Sequence, residues 1–296
     1  MTVPQVTIVI PTRNEGAYLA YTVYWILTNS NGAFDFEIIV VDDGSTDHSI
    51  RSLLQLCGDP RLKIVAGERQ GPGRARNLGG REAKGQYIVF IDAHCYTPQN
   101  WLEGLVAPLS DPTIAMVGCA FADLTRPSAG IGVGCSWGTP ALDMVWLPQR
   151  SSDIHQVPLL PGGCQALRTE DFLSFGQYDP GMKHIGSEGE EQSLRCWLMG
   201  YQVVVQPRVV VHHLFRDHPP YHVRPPELIY NRLRTALLHF TSERFARVVD
   251  ALKHTPHFSE QILALLESDT MIHRAAWNKR RERSDEWFFK HFRIPV

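Results

Sequence analysis

The chain has 296 residues, a mass of 33.5 kDa and 44% hydrophobic residues, enough apolar material for one large domain or two intimately packed ones and too much for a disordered chain. Its 29 basic and 31 acidic residues nearly cancel, so no global field recruits nucleic acid, and an anionic partner must be met by a local site. The six cysteines show no CxxC spacing and read as small buried thiols.

Near the start, Val6–Ile10 is a short apolar run that ends at Pro11, without the charged lead or long apolar core of a signal peptide. No other stretch approaches the ~20 apolar residues needed to cross a bilayer, so the expected location is cytoplasmic. Val6–Ile10, Glu37–Val41, Leu62–Val65 and Tyr87–Ile91 are too short for helices and too continuous for half-exposed strands, and read as buried parallel strands. Between them lie helically spaced segments: Tyr18, Thr22, Trp25 and Ile26, then Ile50 to Cys57, then Arg74 to Ala83. This alternation predicts an α/β fold, a doubly wound and mostly parallel sheet whose ligands sit beyond the carboxyl ends of its strands. Residues 1–120 form the first half on this reading. From Phe121 to about Gln156 the chain is rich in Gly, Pro and Trp without clear periodicity, and an acidic helix at Glu188–Leu198 and a strand at Val203–Val205 complete an acceptor-side half, 121–217. A Pro/His-rich break at His218–Pro226 opens the remaining segment, 218–296. There Glu227–His239 and Ser242–Lys253 read as amphipathic helices, and the tail Arg274–Arg293 is basic and aromatic. The tail is expected to dock on the core, with contact to a membrane surface or an acidic partner as the alternative.

Polar residues cluster at the strand ends. Residues i and i+2 of a strand share a side, so Asp92 and His94 in Asp92-Ala93-His94 can converge on one ion, an oxygen-plus-imidazole set suited to Mn²⁺ or a similar first-row ion. Alone, the triplet reads as an ordinary polar strand end. Pro11, Thr12 and Glu15 follow the first strand, and Asp42-Asp43 the second, where a carboxylate can accept from a base N–H or cap a turn. Gly71-Pro72-Gly73-Arg74-Ala75-Arg76 opens a helix, so backbone N–H groups and one or both guanidiniums can face a nucleotide or its phosphates. The G-x-G-x-x-G fingerprint fails at Arg76 and no GxxxxGK[ST] occurs, which sets aside dehydrogenase, kinase and ATPase readings.

Val-Ile-Pro-Thr-Arg-Asn-Glu (9–15), Val-Val-Asp-Asp-Gly-Ser-Thr-Asp (40–47) and Ala-Arg-Asn (75–77) resemble the nucleotide half of GT-A glycosyltransferases, broadly family 2. Phe-Ile-Asp-Ala-His-Cys (90–95), Gly162-Gly163, Phe-Gly-Gln-Tyr-Asp-Pro-Gly-Met (175–182), Gly186-Ser187-Glu188 with Ser-Leu-Arg-Cys-Trp (193–197), and His213-Leu-Phe-Arg216 resemble the polypeptide N-acetylgalactosaminyltransferases in particular. The likeness spans roughly residues 4 to 221. It implies a GT-A fold, Mn²⁺ or another divalent cation such as Mg²⁺, a UDP-sugar donor, and a peptide or glycan acceptor. Asp92, His94 and His213 would be metal ligands, with His212 the rival of His213. Asp43, with Asp42 beside it, would contact uridine, and Arg74 or Arg76 the donor. Arg216 and Tyr221 would belong to a loop closing over the diphosphate. Gly162 and Gly163 would let the backbone approach the sugar, Ala93 would belong to the donor-binding residues, and Glu188 would contact the sugar or acceptor, with Glu191 one helical turn away.

The expected activity is transfer of a hexose or N-acetylhexosamine to a hydroxyl or thiol, with Ser, Thr or Cys of a peptide as one acceptor class. A glycan or lipid-linked acceptor, or an inactive nucleotide-sugar-binding protein, is the alternative. Inverting relatives carry an aspartate after the helix-start glutamate, whereas this chain has Gly189, which favours a retaining outcome unless Glu190 or Glu191 takes the role.

Overall fold

The structure is a computed structural model and describes residues 3–30, 32 and 34–295. Its strands are β1 (Val6–Thr12), β2 (Phe36–Asp42), β3 (Leu62–Ala66), β4 (Tyr87–Ile91), β5 (Cys95–Tyr96), β6 (Ile114–Asp123), β7 (Ile131–Trp137), β8 (Met144–Pro148), β9 (His155–Gln156), β10 (Cys164–Arg168) and β11 (Gln202–His213). The helices are α1 (Tyr18–Asn29), α2 (Ser49–Leu56), α3 (Pro72–Glu82), α4 (Trp101–Val106), α5 (Thr169–Ser174), α6 (Glu188–Leu198), α7 (Pro225–His239), α8 (Ser242–Leu252), α9 (Phe258–Leu266), α10 (Thr270–Asn278) and α11 (Asp285–Phe292).

The sheet runs β3-β2-β1-β4-β10-β6-β11-β5. β1 pairs in parallel with β2 and β4, and β2 with β3, while β10 lies antiparallel between β4 and β6, and β11 runs parallel to β6. Six strands therefore point one way and the reversed β10 joins the two groups, a mixed α/β sheet with a mostly parallel centre. Of the four apolar runs expected to be buried strands, β1, β2 and β4 are almost wholly buried, whereas β3, at the edge of the sheet, is only half-buried, with Lys63 and Ala66 exposed. In β1, Val6, Ile8 and Ile10 pack under α1, α2 and α4, whereas Val9 faces the core beneath α3, α5 and the C-terminal helices.

The unpatterned stretch after Phe121 holds β7 to β9. β7 carries Gly132 and Gly134 and breaks register against β8, β8 is largely exposed, and β9 has two residues, so no period of two survives long enough to be read. No described helix is long and apolar enough to cross a membrane. The basic, aromatic tail packs on the domain: Phe289 stacks on Trp137 at 6.0 Å between ring centres, Arg283 donates to the Gly200 carbonyl at 2.7 Å, and Arg281 donates to the His239 carbonyl at 2.8 Å. These guanidiniums satisfy carbonyls at chain reversals and helix ends.

Candidate active site

A cavity of about 600 Å³ opens at the carboxyl ends of β1, β2 and β4 and is closed on its far side by β11, the start of α6 and the loop Pro219–Val223. Its floor is the end of β4. Alternation after Ile91 sends Asp92 and His94 to one side, and β11, paired with β5 through His213 and Cys95, brings His213 beside them. One ligand atom from each of Asp92, His94 and His213 lies within 4.8 Å of the others. The same alternation turns His212 away, onto the ring of Tyr96 at 5.6 Å, which decides between the two histidines.

His213 Nε2 sits 3.3 Å from Asp92 Oδ2, and Arg76 Nη2 donates to Asp92 Oδ1 at 2.7 Å. Burial disfavours the Asp92 carboxylate, but the His213 hydrogen bond, the Arg76 guanidinium and His94 override it, holding the carboxyl well below the usual range. Burial pushes His213 down as well, against the pull of Asp92, so the ring favours the neutral form that ligates a metal. Glu15 Oε2 lies 3.2 Å from His94 Nδ1 but off the line of a hydrogen bond, so His94 Nδ1, like His213 Nδ1, is buried and unsatisfied. Two such imidazoles beside an ionised carboxylate form a donor set that fits a divalent cation.

The walls are built from the other strand ends. Asp43 Oδ2 accepts from the Gly71 N–H at 2.8 Å and Oδ1 from the Gln70 N–H at 3.0 Å, tying the end of β2 to the start of α3. Burial raises the Asp43 carboxyl although these N–H groups and Arg13 oppose it. Gly71 stands at φ +92, and a Cβ there would come 2.0 Å from the His184 carbonyl oxygen, so only glycine lets the two segments meet. Arg76, 3% exposed, also donates to Glu188 Oε1 at 3.3 Å, and the Gly186 N–H donates to Glu188 Oε2 at 2.6 Å. Arg216 donates to Glu15 Oε2 at 2.7 Å, which joins the loop after β11 to the end of β1. Tyr221 roofs the site with Arg13 5.4 Å from its ring, and burial, aided by the carboxylates of Asp92, Glu15 and Glu188, pushes its hydroxyl up to about 12. Thr12 Oγ1, Arg13 Nε and Arg76 Nε are also buried without partners at this cavity.

The cavity thus gathers Pro11, Thr12, Glu15, Asp43, Arg76, Asp92, Ala93, His94, Gly162, Gly163, Glu188, His213, Arg216 and Tyr221. Three expected residues lie elsewhere. Asp42 Oδ1 accepts from the Ser45 N–H at 2.8 Å and shapes the turn after β2. Arg74 bonds Gln70 and the Pro180 carbonyl beside a separate cavity of about 250 Å³, because two positions along α3 turn it away from Arg76. Glu191 is fully buried behind the site, accepting from Arg195 at 2.8 Å and 2.8 Å and lying 2.7 Å from His239 Nε2, so it braces α6 against α7. The sequence reading missed Arg13, Trp146 and Arg232, which also line the cavity. Arg13 lies inside the quoted Pro-Thr-Arg-Asn-Glu motif, but Trp146 comes from the unpatterned β8 and Arg232 from a helix placed only by tertiary packing.

The family description that matches is glycosyl transferase family 2, over residues 7–127. A probable N-acetylgalactosaminyltransferase 8 of Caenorhabditis elegans is 33% identical over 243 residues, covering 71% of this chain and 57% of that protein. N-acetylgalactosaminyltransferase 7 of Drosophila melanogaster is 30% identical over 321 residues, covering 99% of this chain and 53% of that protein. The chain therefore spans about half the length of the curated relatives it matches. Among solved structures, GalNAc-T7 with UDP, GalNAc and Mn²⁺ superposes with a TM-score of 0.81 at 23% identity, over 98% of this chain and 57% of that one. S. aureus TarS in complex with UDP-GlcNAc superposes with a TM-score of 0.59 at 15% identity, over 95% of this chain and 77% of that one. The chain thus takes the GT-A fold, matches glycosyl transferase family 2 over residues 7–127, and is similar to N-acetylgalactosaminyltransferases.

Proposed function

We propose that this protein transfers a hexose or N-acetylhexosamine, foremost N-acetylgalactosamine, from a UDP-sugar to a Ser or Thr hydroxyl of a peptide. The observation that carries this reading is the convergence of Asp92, His94 and His213 on one point at the floor of a cavity walled by Asp43, Arg13, Arg76 and Arg216. A divalent cation held by those three residues would supply positive charge where the departing diphosphate gains negative charge. Arg76 keeps Asp92 ionised and poised for that cation while steadying Glu188. Arg13 and Arg216 face the same space and add fixed charge for the phosphates. Asp43 retains spare lone pairs after its two backbone bonds and is placed to accept from a base N–H. The loop around Tyr221 lines one side of the cavity and would limit solvent at a bound sugar.

The support for a peptide acceptor is the N-acetylgalactosaminyltransferase kinship over nearly the whole chain. The test is incubation with Mn²⁺, a panel of UDP-sugars and a pool of Ser/Thr peptides, followed by mass spectrometry. Consumption of UDP-GalNAc with a matching peptide mass gain, abolished by EDTA, supports the reading. Intact UDP-sugars throughout the panel would overturn it.

A further inference from the structure

The stretch of cavity wall from His184 to Glu188 runs through three left-handed residues: His184 stands at φ +30, Gly186 at φ +101 and Ser187 at φ +68. Glycine adopts such an angle freely, but the other two are strained there and persist only where their surroundings impose the conformation. The constraint comes from α7. Asn231, fully buried, accepts from the Lys183 N–H at 2.7 Å through Oδ1, and its Nδ2 donates to the carbonyls of Lys183 at 2.8 Å, Gly186 at 2.8 Å and Ile185 at 3.3 Å. Asparagine supplies both roles, whereas an aspartate could accept but not donate and a leucine could do neither. It is also a poor helix former, and a buried amide costs stability unless it is paired, so its place in the middle of α7 is accounted for by the loop it grips. Three residues on, Arg234 is fully buried on the same face and donates to Asp179 at 2.6 Å and 2.9 Å, which fixes the start of the same loop.

We infer that Asn231 is a positioning residue of the transfer: it holds the wall from His184 to Glu188 so that the Gly186 N–H meets Glu188 and Glu188 meets Arg76. The inference rests on the UDP-sugar transfer proposed above. Every link has a measured contact. Asn231 holds the Gly186 carbonyl, the Gly186 N–H donates to Glu188 Oε2 at 2.6 Å, and Arg76 donates to Glu188 Oε1 at 3.3 Å and to Asp92 Oδ1 at 2.7 Å, where Asp92 belongs to the cation-binding set. If the Gly186 peptide turned, Glu188 would lose one of its two donors and lean on Arg76 alone, and the guanidinium it shares with Asp92 would shift with it. Asn231 does not line the cavity, so it acts through the wall and not by touching substrate. A helix beyond residues 7–127, the part matched to family 2, thereby governs the geometry of a site built at strand ends.

The experiment compares wild type with Asn231→Ala and Asn231→Asp, using UDP-GalNAc, Mn²⁺ and the Ser/Thr peptide pool at a temperature where each protein is folded, and follows amide hydrogen exchange by NMR. Expected is a loss of kcat by about 10²-fold in both variants with the Kd for UDP in the presence of Mn²⁺ unchanged, since a small displacement of positioned groups suffices for such a loss. The Gly186 N–H, which Asn231 does not bond, should exchange faster in both variants while the amides of β4 keep their wild-type rates. Wild-type kcat in a folded variant, or faster exchange confined to Lys183, would reduce Asn231 to a structural residue and overturn the inference while leaving the transferase reading standing. An unprotected Gly186 amide in the wild type would overturn it even if neither variant folds. A wild-type protein that releases no UDP would overturn both.

Discussion

Glu191 separates a structural from a catalytic reading of the acidic helix, and its replacement by Gln tests the distinction. Glu191, Arg195 and His239 are 0%, 1% and 1% exposed, and both carboxylate oxygens are taken up by Arg195 and His239. Burial alone would raise the Glu191 carboxyl, but the Arg195 charge and the His239 hydrogen bond hold it well below the usual range. Breaking such a pair strands a buried guanidinium and costs about 3–5 kcal/mol. Gln keeps the shape and one acceptor, and Arg195 keeps the carbonyls of Phe175 and Gln177, so the lower end, about 3 kcal/mol, is expected. For a domain of this size that is a fall of about 6–12 °C in melting temperature. The sign with pH follows from the depressed carboxyl: its contribution is complete above the unfolded value of about 4.3 and is lost as pH falls through the folded value. The wild-type advantage should therefore be full at neutral pH and shrink below about pH 4. Calorimetric melts across pH, with UDP and Mn²⁺ titrations at a temperature where both proteins are folded, supply the measurement. An unchanged melting temperature together with lost turnover would refute the reasoning and return Glu191 to the reaction.

Three further outcomes follow from the same geometry. Mn²⁺ with UDP at about 100 times the dissociation constant should stabilise the wild type by about 2.7 kcal/mol, reversed by EDTA, and His94→Ala should remove that stabilisation in thermal melts, each protein being read against its own ligand-free melt so that loss of the Glu15 contact cancels. Gly71→Ala should weaken UDP binding and destabilise the fold by about 1–3 kcal/mol, because the left-handed turn and the contact with His184 leave no room for a methyl group; binding calorimetry and denaturant melts read both effects. Gly189→Asp should lower stability and raise no activity, since its Cβ meets Gly162 and Leu160; a stable variant that transfers sugar faster than wild type would contradict the wall described here.

β1, β2 and β4 were legible because both sheet faces are buried there, β3 only as a short apolar run at the half-buried edge, and the three helices between them because they are amphipathic. Alternation suggested that Asp92 and His94 could converge, but only the neighbouring motifs and the family likeness singled them out from an ordinary polar strand end. His213 was legible only through family likeness, since the sequence presents two adjacent histidines, and which one points inward depends on how β11 pairs with β5. The same limit explains Arg74 and Arg76: two positions along a helix face different sides, and only the packed structure says that Arg76 turns toward Asp92. Glu188, Glu190 and Glu191 look alike in the sequence. Their fates diverge because α6 sets Glu188 against Arg76, Glu190 on the cavity and Glu191 against α7. Trp146 was hidden because β8 is a short, exposed strand without a readable period.

The central claim is that Asp92, His94 and His213 hold a divalent cation against a nucleotide diphosphate. Crystals grown with UDP and Mn²⁺, measured at the manganese absorption edge, test it most directly. The account predicts one anomalous peak within coordination distance of all three side chains, with the diphosphate on its open side facing Arg13 and Arg216. A peak at Asp42 and Asp43 instead, or bound UDP with no manganese at Asp92, would contradict it.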